Sequence, residues 1–312
     1  METVSVVIPV YNRANVIGRC LESVLRQTYR AVEIIVVDDG STDNLSEMIQ
    51  PVWNQIHLIR QPNRGQGAAR NAGIKAAKGG WVAFLDSDDL WEEKKLEIQM
   101  RSILSKGYEW GHTKAAILPQ SENQRFFGDW FHGNRIGMVA QDLLQTNFIC
   151  TSSVVIKKQV LDQVGEFSED REIQNFEDYE LWLRIAAMIG IDYVDIPLTL
   201  YTTESMNRAR QESVLRQIEK NEEVMKKLES LPFSFYSSAQ IKKRRFRYQQ
   251  HQFQQALMEG DQGLAKAVLN RMEKNGFSMF SMLTNRLLVD SPPWLLNWLR
   301  RIYYQFFKRS GI

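Results

Sequence analysis

The feature that most constrains the fold is an alternation of short apolar runs with helical stretches over the first 90 residues. Apolar, largely β-branched runs end at Pro9, Val37 and Leu85, and apolar residues at helical spacing lie between them. Strands and helices in this order form a parallel sheet with right-handed crossovers. We therefore predict an α/β fold, with a mostly parallel sheet flanked by helices. Over residues 1–164, the predicted strands are 4–9, 33–37, 56–60, 81–85, 110–118 and 152–156, and the predicted helices are 16–27, 45–52, 67–77, 90–104 and 158–164.

Three carboxylates crowd the end of the strand that closes at Leu85. Asp86, Asp88 and Asp89 directly follow an uninterrupted apolar run. Their charges repel one another unless a cation or a hydrogen-bonding ligand is present, and parallel sheets bind ligands at the carboxyl ends of their strands. The alternative is an acidic turn that caps the following helix. The pattern alone allows both.

The ends of the first two strands carry residues suited to a nucleotide. Tyr11 follows the first strand, and an aromatic ring in that place can stack on a base. Asp39 follows the second strand, and its carboxylate can accept the imide N–H of uracil or a ribose hydroxyl. For Ser41 and Asp43 we favour a local turn that supplies the N-cap of the next helix.

The segment 63–73 contains Gly-x-Gly between a strand and a helix, as a dinucleotide-binding fingerprint does. Arg70, however, occupies the third glycine position, where it would block close packing of the helix on the strand. The segment also follows the third strand, whereas the fingerprint normally follows the first. Arg70 either directs its guanidinium at a base carbonyl or phosphate or is an ordinary surface arginine, and this segment does not decide between them.

Residues 119–137 form a polar loop that is rich in aromatic side chains. The loop could provide a wall on which a sugar stacks, but we favour buried anchors that hold the loop in place. The side chains concerned are Phe126, Phe127, Trp130, Phe131 and His132.

Glu177 and Asp178 open a further helix, which apolar residues mark from Leu181 to Met188. Acidic residues in a first turn are favoured by the helix dipole, and this explains their presence without a catalytic role.

Four motifs follow one another in a fixed order, and their combination is specific. In this order they resemble the inverting family-2 glycosyltransferases, which have the GT-A fold, and the resemblance covers about residues 3–202. The motifs are Ser5–Asn12 (SVVIPVYN), Asp38–Asp43 (DDGSTD), Ala69–Gly73 (ARNAG) and Phe84–Asp89 (FLDSDD).

The resemblance implies a role for each motif. Tyr11, Asp39 and Arg70 would hold the nucleotide base, usually uracil. Asp86 would contact the ribose, and Asp88 would bind Mn²⁺ or Mg²⁺ on the diphosphate, since oxygen ligands suit these hard ions. The Glu-Asp pair of the family ends here in Asp178, which would be the base that deprotonates the acceptor hydroxyl. The implied donor site comprises Pro9, Tyr11, Asp39, Arg70, Asp86 and Ser87, the metal site is Asp88, and the catalytic residue is Asp178.

The sequence departs from the family at two places. The Gln-x-x-Arg-Trp motif of processive members is missing after Asp178, so we expect transfer of a single sugar. Many other members follow the last strand with Tyr-Arg and a nearby His that help to hold the metal and diphosphate. Here Tyr201 stands without either partner, and Arg208 or Arg210 are the candidates to replace them.

The expected function is therefore transfer of one sugar from a nucleotide diphosphate donor, most commonly a UDP-sugar, to a glycan or glycolipid acceptor in polysaccharide biosynthesis. A sugar-1-phosphate nucleotidyltransferase is one alternative, but it requires a glycine-rich basic loop after the first strand. A catalytically silent nucleotide-sugar-binding subunit is the other, although the acids Asp88 and Asp178 are both present.

Charge divides the chain into two parts. Residues 205–312 hold 19 Lys and Arg against 9 Asp and Glu, whereas residues 1–204 hold 20 against 28. We predict a catalytic domain over residues 1–205 and a helical region over 206–312. Residues 292–309 are predicted to form an amphipathic helix that lies on an anionic membrane surface or packs internally.

The remaining composition concerns compartment and partners. Two cysteines, Cys20 and Cys150, favour a reducing compartment over a disulfide framework. The first ten residues read as a strand and not as a signal peptide, and no apolar run approaches the length that spans a bilayer. We expect a cytoplasmic protein, peripheral on the inner face of the plasma membrane, with no nucleic-acid partner. Self-association into a homo-oligomer is left open.

Overall fold

The computed structural model describes residues 2–30, 32–119, 124–202, 212–231 and 235–277. The chain divides into two compact units, Met1–Glu212 and Ser213–Ile312. The domain boundary predicted after residue 205 falls outside the described residues, so the predicted domain limits stay a prediction.

The first unit alternates strands and helices along most of its length. In chain order the elements are β1 (Val4–Val10), α1 (Ala14–Leu25), β2 (Val32–Asp38), α2 (Leu45–Ile49), β3 (His57–Arg60), α3 (Gln66–Ala76), β4 (Trp81–Phe84), β5 (Leu90–Trp91), α4 (Lys95–Lys106), β6 (Trp110–Leu118), α5 (Ala140–Gln145), β7 (Val155–Lys157), α6 (Lys158–Val164), α7 (Glu177–Met188) and β8 (Asp192–Thr202).

The eight strands form one sheet in the order β3-β2-β1-β4-β7-β6-β8-β5. Strands β1 to β4 run parallel to one another, and β6 runs parallel to β8. Strand β7 is antiparallel to both neighbours, and β5 is antiparallel to β8. The prediction of a mostly parallel α/β sheet flanked by helices is confirmed.

Strand β1 lies near the centre of the sheet, and this position explains its composition. All seven of its residues are buried, because β2 and β4 flank it in the sheet and helices cover both faces. Since β1, β2 and β4 are parallel, their carboxyl ends reach the same edge. The residues that follow these ends, Tyr11, Asp39 and Asp86, are brought to that edge together.

Helix α3 approaches β1 closely, and the contact corrects our expectation for Arg70. A Cβ placed on Gly73 would lie only 2.3 Å from Val7 Cγ1, so the glycine permits the approach. The close contact thus occurs one turn after Arg70, which is itself buried with 2% of its surface exposed. Arg70 does not block the packing, and its interpretation as a surface arginine was wrong.

The helix expected over 45–52 ends at Ile49 and is followed by a 3-10 helix over Gln50–Gln55. Two further predicted elements begin later than expected. The helix expected over 90–104 begins only at Lys95, because Leu90 and Trp91 pair with β8 as a two-residue strand that is too short to show an alternating pattern. The strand expected over 152–156 begins at Val155. Residues Thr151–Ser153 form a 3-10 turn instead, in which the Ser153 hydroxyl donates to the carbonyl of Cys150.

The second unit is helical over its described residues. Its helices are α8 (Val214–Glu229), α9 (Ser238–Glu259) and α10 (Gln262–Lys274). Each helix has an N-cap residue whose side chain accepts a hydrogen bond from a backbone N–H of the first turn. These N-cap residues are Ser213, Ser237 and Asp261 respectively. Residues such as Phe253 and Val268 form its own buried core.

The described part of the chain contains no helix that combines the length and apolar character required to cross a bilayer. Both cysteines are buried and unpaired.

Gly73→Ala is expected to lower the free energy of unfolding by about 1–3 kcal/mol, because the new Cβ would clash with Val7. Gly18 on α1 is the matched control, since a Cβ there meets nothing within 4 Å and alanine is the better helix former. Urea unfolding followed by circular dichroism measures both variants. Equal stability of Gly73→Ala and the wild type would contradict close packing of α3 on β1.

Candidate active site

A cleft opens at the carboxyl edge of the sheet and gathers every predicted site residue. Strand ends, the first turns of α3 and α7, and the end of β8 line it. The predicted residues that it contains are Pro9, Tyr11, Asp39, Arg70, Asp86, Ser87, Asp88 and Asp178, and its wall also includes Val10, Arg13, Gln66, Ala69, Asn175, Glu177 and Tyr201.

Asp39 is buried and already holds a neighbouring loop. Its carboxylate accepts hydrogen bonds from the side-chain amide of Gln61 at 2.7 Å and from the backbone N–H groups of Arg64 at 2.9 Å and Gly65 at 2.8 Å. Gly65 has φ +94°, a backbone conformation that glycine adopts without strain. Asp39 therefore fixes the entry to α3, and its Oδ2 atom, with one of these bonds, can accept another.

Tyr11 stands at the opening of the cleft with 43% of its surface exposed. The turn after it is held by side chains from the loop that follows β2. Ser41 Oγ accepts the backbone N–H of Asn12, and Asp43 accepts that of Ala14 at the start of α1. Our expectation that Ser41 and Asp43 supply the N-cap of the next helix was wrong: Asp43 caps α1, the helix before it.

Arg70 links two acidic residues from distant parts of the chain. One terminal nitrogen donates to Glu177 at 2.8 Å and the other to Asp86 at 2.7 Å, with a longer bond to Gln66. Burial alone would lower the pKa of Arg70, but Asp86, Glu177 and Asp178 reverse the effect and raise it. The guanidinium stays charged and ties the end of β4 to the first turn of α7.

The three acids after β4 have three different environments. Asp86 faces Arg70, whereas Asp89 is fully buried and accepts hydrogen bonds from Ser152 Oγ at 2.6 Å and the backbone N–H of Thr202 at 2.9 Å. Burial, followed by Asp86 and Asp88, raises the pKa of Asp89 well above its usual range. None of the three caps α4, whose N-cap is Lys94, so the capping alternative was wrong.

Asp88 also lies close to a cation, but to a different one from Asp86. Its Oδ2 lies 3.7 Å from a terminal nitrogen of Arg13, and 7% of its side chain is exposed. No group of three or more His, Cys, Asp or Glu side chains in the described residues is arranged to hold a metal. Mg²⁺ is nevertheless often bound by one carboxylate together with substrate phosphates and water. Asp88 therefore fits a metal whose remaining ligands would come from a diphosphate and from water.

Asp178 is partly buried in the same cleft and carries two hydrogen bonds. Thr151 Oγ1 donates to one oxygen at 2.6 Å, and the backbone N–H of Tyr179 donates to the other at 2.6 Å. Burial and the charge of Glu177 raise the pKa of Asp178 to about 6, against the effects of these bonds and of Arg70. A carboxyl of this kind exchanges a proton near neutral pH, as a general base requires.

Glu177 differs from its neighbour because both of its oxygens are engaged. One accepts from Arg70, and the other accepts the backbone N–H of Asn175 at 2.6 Å. Asn175 has φ +74°, so the bond helps to hold an unusual backbone turn at the start of α7.

The sequence model of the family described as Glycosyl transferase family 2 matches residues 5–165. The chain belongs to this family. An uncharacterized glycosyltransferase of Rickettsia felis is 38% identical over 198 residues, which are 63% of this chain and 32% of the relative. This chain spans about a third or less of the length of such curated relatives.

Solved structures share the fold at low sequence identity. The structure of S. aureus TarS in complex with UDP-GlcNAc has a TM-score of 0.62 at 16% identity, covering 99% of this chain and 92% of that one. The mannosyltransferase PcManGT from Pyrobaculum calidifontis, in complex with GDP-Man and Mn²⁺, has a TM-score of 0.55 at 17% identity and covers 96% and 84%. These likenesses agree with the GT-A fold expected for family 2.

Several residues in and around this cleft carry no signal in the sequence. Arg13 follows the first motif directly, but no pattern marked it as facing Asp88. Ser152 was assigned to a strand and Thr151 to no element, whereas their hydroxyls hold Asp89 and Asp178 respectively. Arg208 and Arg210, the candidates to accompany Tyr201, lie outside the described residues.

The aromatic residues of the 119–137 loop are not buried anchors. Phe126, Phe127 and Phe131 are half-buried, and Trp130 and His132 are exposed. The loop bends back along β6, and its rings contact one another, Tyr201 on β8 and, through Phe131, the buried ring of Phe148.

We expect the carboxyl of Asp178 to titrate at about pH 6, and Glu177→Gln to lower its pKa by removing the adjacent negative charge. At pH 5 the wild type would thus retain a proton that an ordinary aspartic acid has largely lost. Carbon-13 NMR of the carboxyl groups, assigned with Asp178→Asn, measures both values. Glu172→Gln, at an exposed position, is the control and should leave the titration unchanged. An unshifted pKa in Glu177→Gln would contradict the electrostatic account.

Proposed function

We propose that this protein transfers a single sugar from a nucleotide diphosphate donor, a UDP-sugar, to a hydroxyl of a glycan or glycolipid acceptor, with inversion of configuration. The observation that carries the proposal is the position of Asp178. It lines the cleft that contains the donor motifs, has a pKa raised to about 6, and follows Glu177, which Arg70 ties to Asp86. The UDP-GlcNAc bound to TarS and the GDP-Man bound to PcManGT support a nucleotide-sugar donor.

The donor site is proposed along the ends of β1, β2 and β4. The exposed ring of Tyr11 would stack on the base, and Asp39 Oδ2 would accept its imide N–H. Pro9, Ser87 and Asp86 line the same wall, with Asp86 placed for a ribose hydroxyl. We assign Arg70 to the base end of the donor, where its bond to Asp86 would also fix that carboxylate.

Asp88 is the proposed ligand of a divalent cation, Mn²⁺ or Mg²⁺. The cation would lower the negative charge that develops on the diphosphate leaving group. Arg13, 3.7 Å from Asp88, adds a second positive charge at this place. The Mn²⁺ in the PcManGT complex supports a divalent metal.

Asp178 is the proposed general base. An inverting transfer is a single in-line displacement, so one base must take the proton of the acceptor hydroxyl as the oxygen attacks the sugar. Thr151 and the N–H of Tyr179 hold the carboxylate in one orientation, while its raised pKa makes it a better proton acceptor than an ordinary aspartate.

The wider setting is proposed from the sequence. Polysaccharide biosynthesis at the cytoplasmic face of the cell envelope would supply a lipid-linked or glycan acceptor. Binding of residues 292–309 to anionic membranes stays a prediction, because the segment lies outside the described residues; flotation with anionic and neutral liposomes, compared with a form ending at Ser291, would test it.

The two alternatives are weaker. A nucleotidyltransferase does not agree with membership of family 2. A silent donor-binding subunit would have no need of an acid like Asp178, with a raised pKa, in the donor cleft.

Asp178→Asn should lower turnover by a factor of about 10² or more, because the amide keeps the shape but cannot accept the proton. UDP binding, measured by calorimetry, should change little. The assay is release of nucleoside diphosphate in a screen of UDP- and GDP-sugars with mixed acceptors, and Asp162→Asn on the exposed face of α6 is the control. Near-normal turnover of Asp178→Asn would move the base elsewhere.

Asp88→Asn should abolish turnover and the enhancement of UDP binding by Mn²⁺, with the unfolding midpoint unchanged. The reason is that the amide is a much weaker ligand for a hard cation than the carboxylate. EDTA should have the same effect on the wild type, and added Mn²⁺ or Mg²⁺ should reverse it. Full activity in chelator would exclude the metal assignment.

A further inference from the structure

Three aromatic rings lead out of the cleft in a continuous row. Tyr201 lines the cleft, and its ring centroid lies 5.4 Å from that of Phe127. Phe127 in turn lies 5.3 Å from Trp130, and both pairs meet edge to face. The row therefore connects the cleft that holds Asp178 to the outer surface of the first unit.

The row is held by the fold at several points. The backbone N–H of Phe127 donates to the carbonyl of Ala115 on β6 at 2.8 Å. The indole Nε1 of Trp130 donates to Thr146 Oγ1 at 3.2 Å, and Asp129 accepts the backbone N–H of Phe126 at 2.8 Å. A surface that is fixed before a ligand arrives loses less entropy on binding.

Trp130 is the outer end of the row and has 49% of its surface exposed. A contiguous row of aromatic rings that the fold orients but leaves partly open is typical of a binding surface. The apolar face of a pyranose ring packs on such an indole, and its hydroxyls then require polar partners. Asp129, the exposed neighbour of Trp130, offers a carboxylate that accepts hydrogen bonds from hydroxyls.

We propose that Tyr201, Phe127 and Trp130 form an acceptor subsite, on which a sugar ring of a glycan acceptor stacks beyond the residue that receives the new sugar. The inference rests on the proposed transferase function and adds the class of acceptor: a saccharide of at least two rings, not a lone lipid phosphate. The continuity with the cleft favours this occupant, since a chain that presents its hydroxyl to Asp178 leaves along the row.

The experiment measures saccharide binding by saturation-transfer NMR on the full chain with UDP and MgCl₂ present. The probes are gluco-, manno- and N-acetylglucosamine mono- and tetrasaccharides. Trp130→Ala should weaken tetrasaccharide binding about tenfold, and Trp130→Phe should weaken it less, because it keeps an aromatic face. Trp53→Ala is the matched control. Trp53 is 51% exposed, but it precedes β3 and so lies at the amino ends of the strands, away from the cleft at their carboxyl ends.

The outcomes separate this inference from the proposed function. Loss of tetrasaccharide binding in Trp130→Ala alone, with UDP binding intact, supports the subsite. Equal binding by Trp130→Ala and the wild type, no preference for tetrasaccharide over monosaccharide, or no saccharide binding by the wild type would each overturn it. Failure of the wild type to bind UDP in the same samples would instead count against the proposed function.

Discussion

The buried guanidinium of Arg70 is the interaction on which the site depends. Three segments distant in sequence meet there: α3 supplies the cation, Asp86 follows the end of β4, and α7 begins at Glu177. A cation that is 2% exposed cannot be solvated by water, so the two carboxylates must stabilise it. Loss of one partner would leave the buried guanidinium with a single carboxylate and would therefore lower the stability of the fold. The same contacts fix the wall of the donor cleft against the turn that carries Asp178.

The acids after β4 show how the fold gives different properties to identical side chains. Asp86 is partly exposed and paired with Arg70, and Asp88 faces the cleft. Asp89 is buried and accepts hydrogen bonds from Ser152 and Thr202. Burial raises the pKa of Asp89 well above its usual range, and the hydrogen bonds from Ser152 and Thr202 oppose that shift. Asp89 thereby serves structure: its bond to Thr202 holds the end of β8 beside the cleft.

The alternation of strands and helices, and the motifs at the strand ends, could be predicted because they depend on local patterns. The strand Leu90–Trp91 could not, since its two residues pair only with a partner more than a hundred positions later. The contact of Arg13 with Asp88 could not be predicted for a similar reason, because the packing of the sheet brings the two residues together. The exposure of Trp130 was also missed: aromatic residues in a loop fit burial as well as binding, and only the fold decides.

The cleft is asymmetric, and the asymmetry has a physical basis. On the proposed donor side, Asp39, Arg70 and Asp86 are held by hydrogen bonds of the protein itself, so this wall is formed before any ligand arrives. On the other side, the row that ends at Trp130 is anchored through its backbone and one indole bond, and its rings are partly open to water. A rigid polar wall suits a donor whose nucleotide part recurs throughout a family, because the same atoms must be bound each time. An aromatic surface selects by shape and area, so at the proposed acceptor subsite substitutions would change the acceptor without disturbing the buried ion pairs.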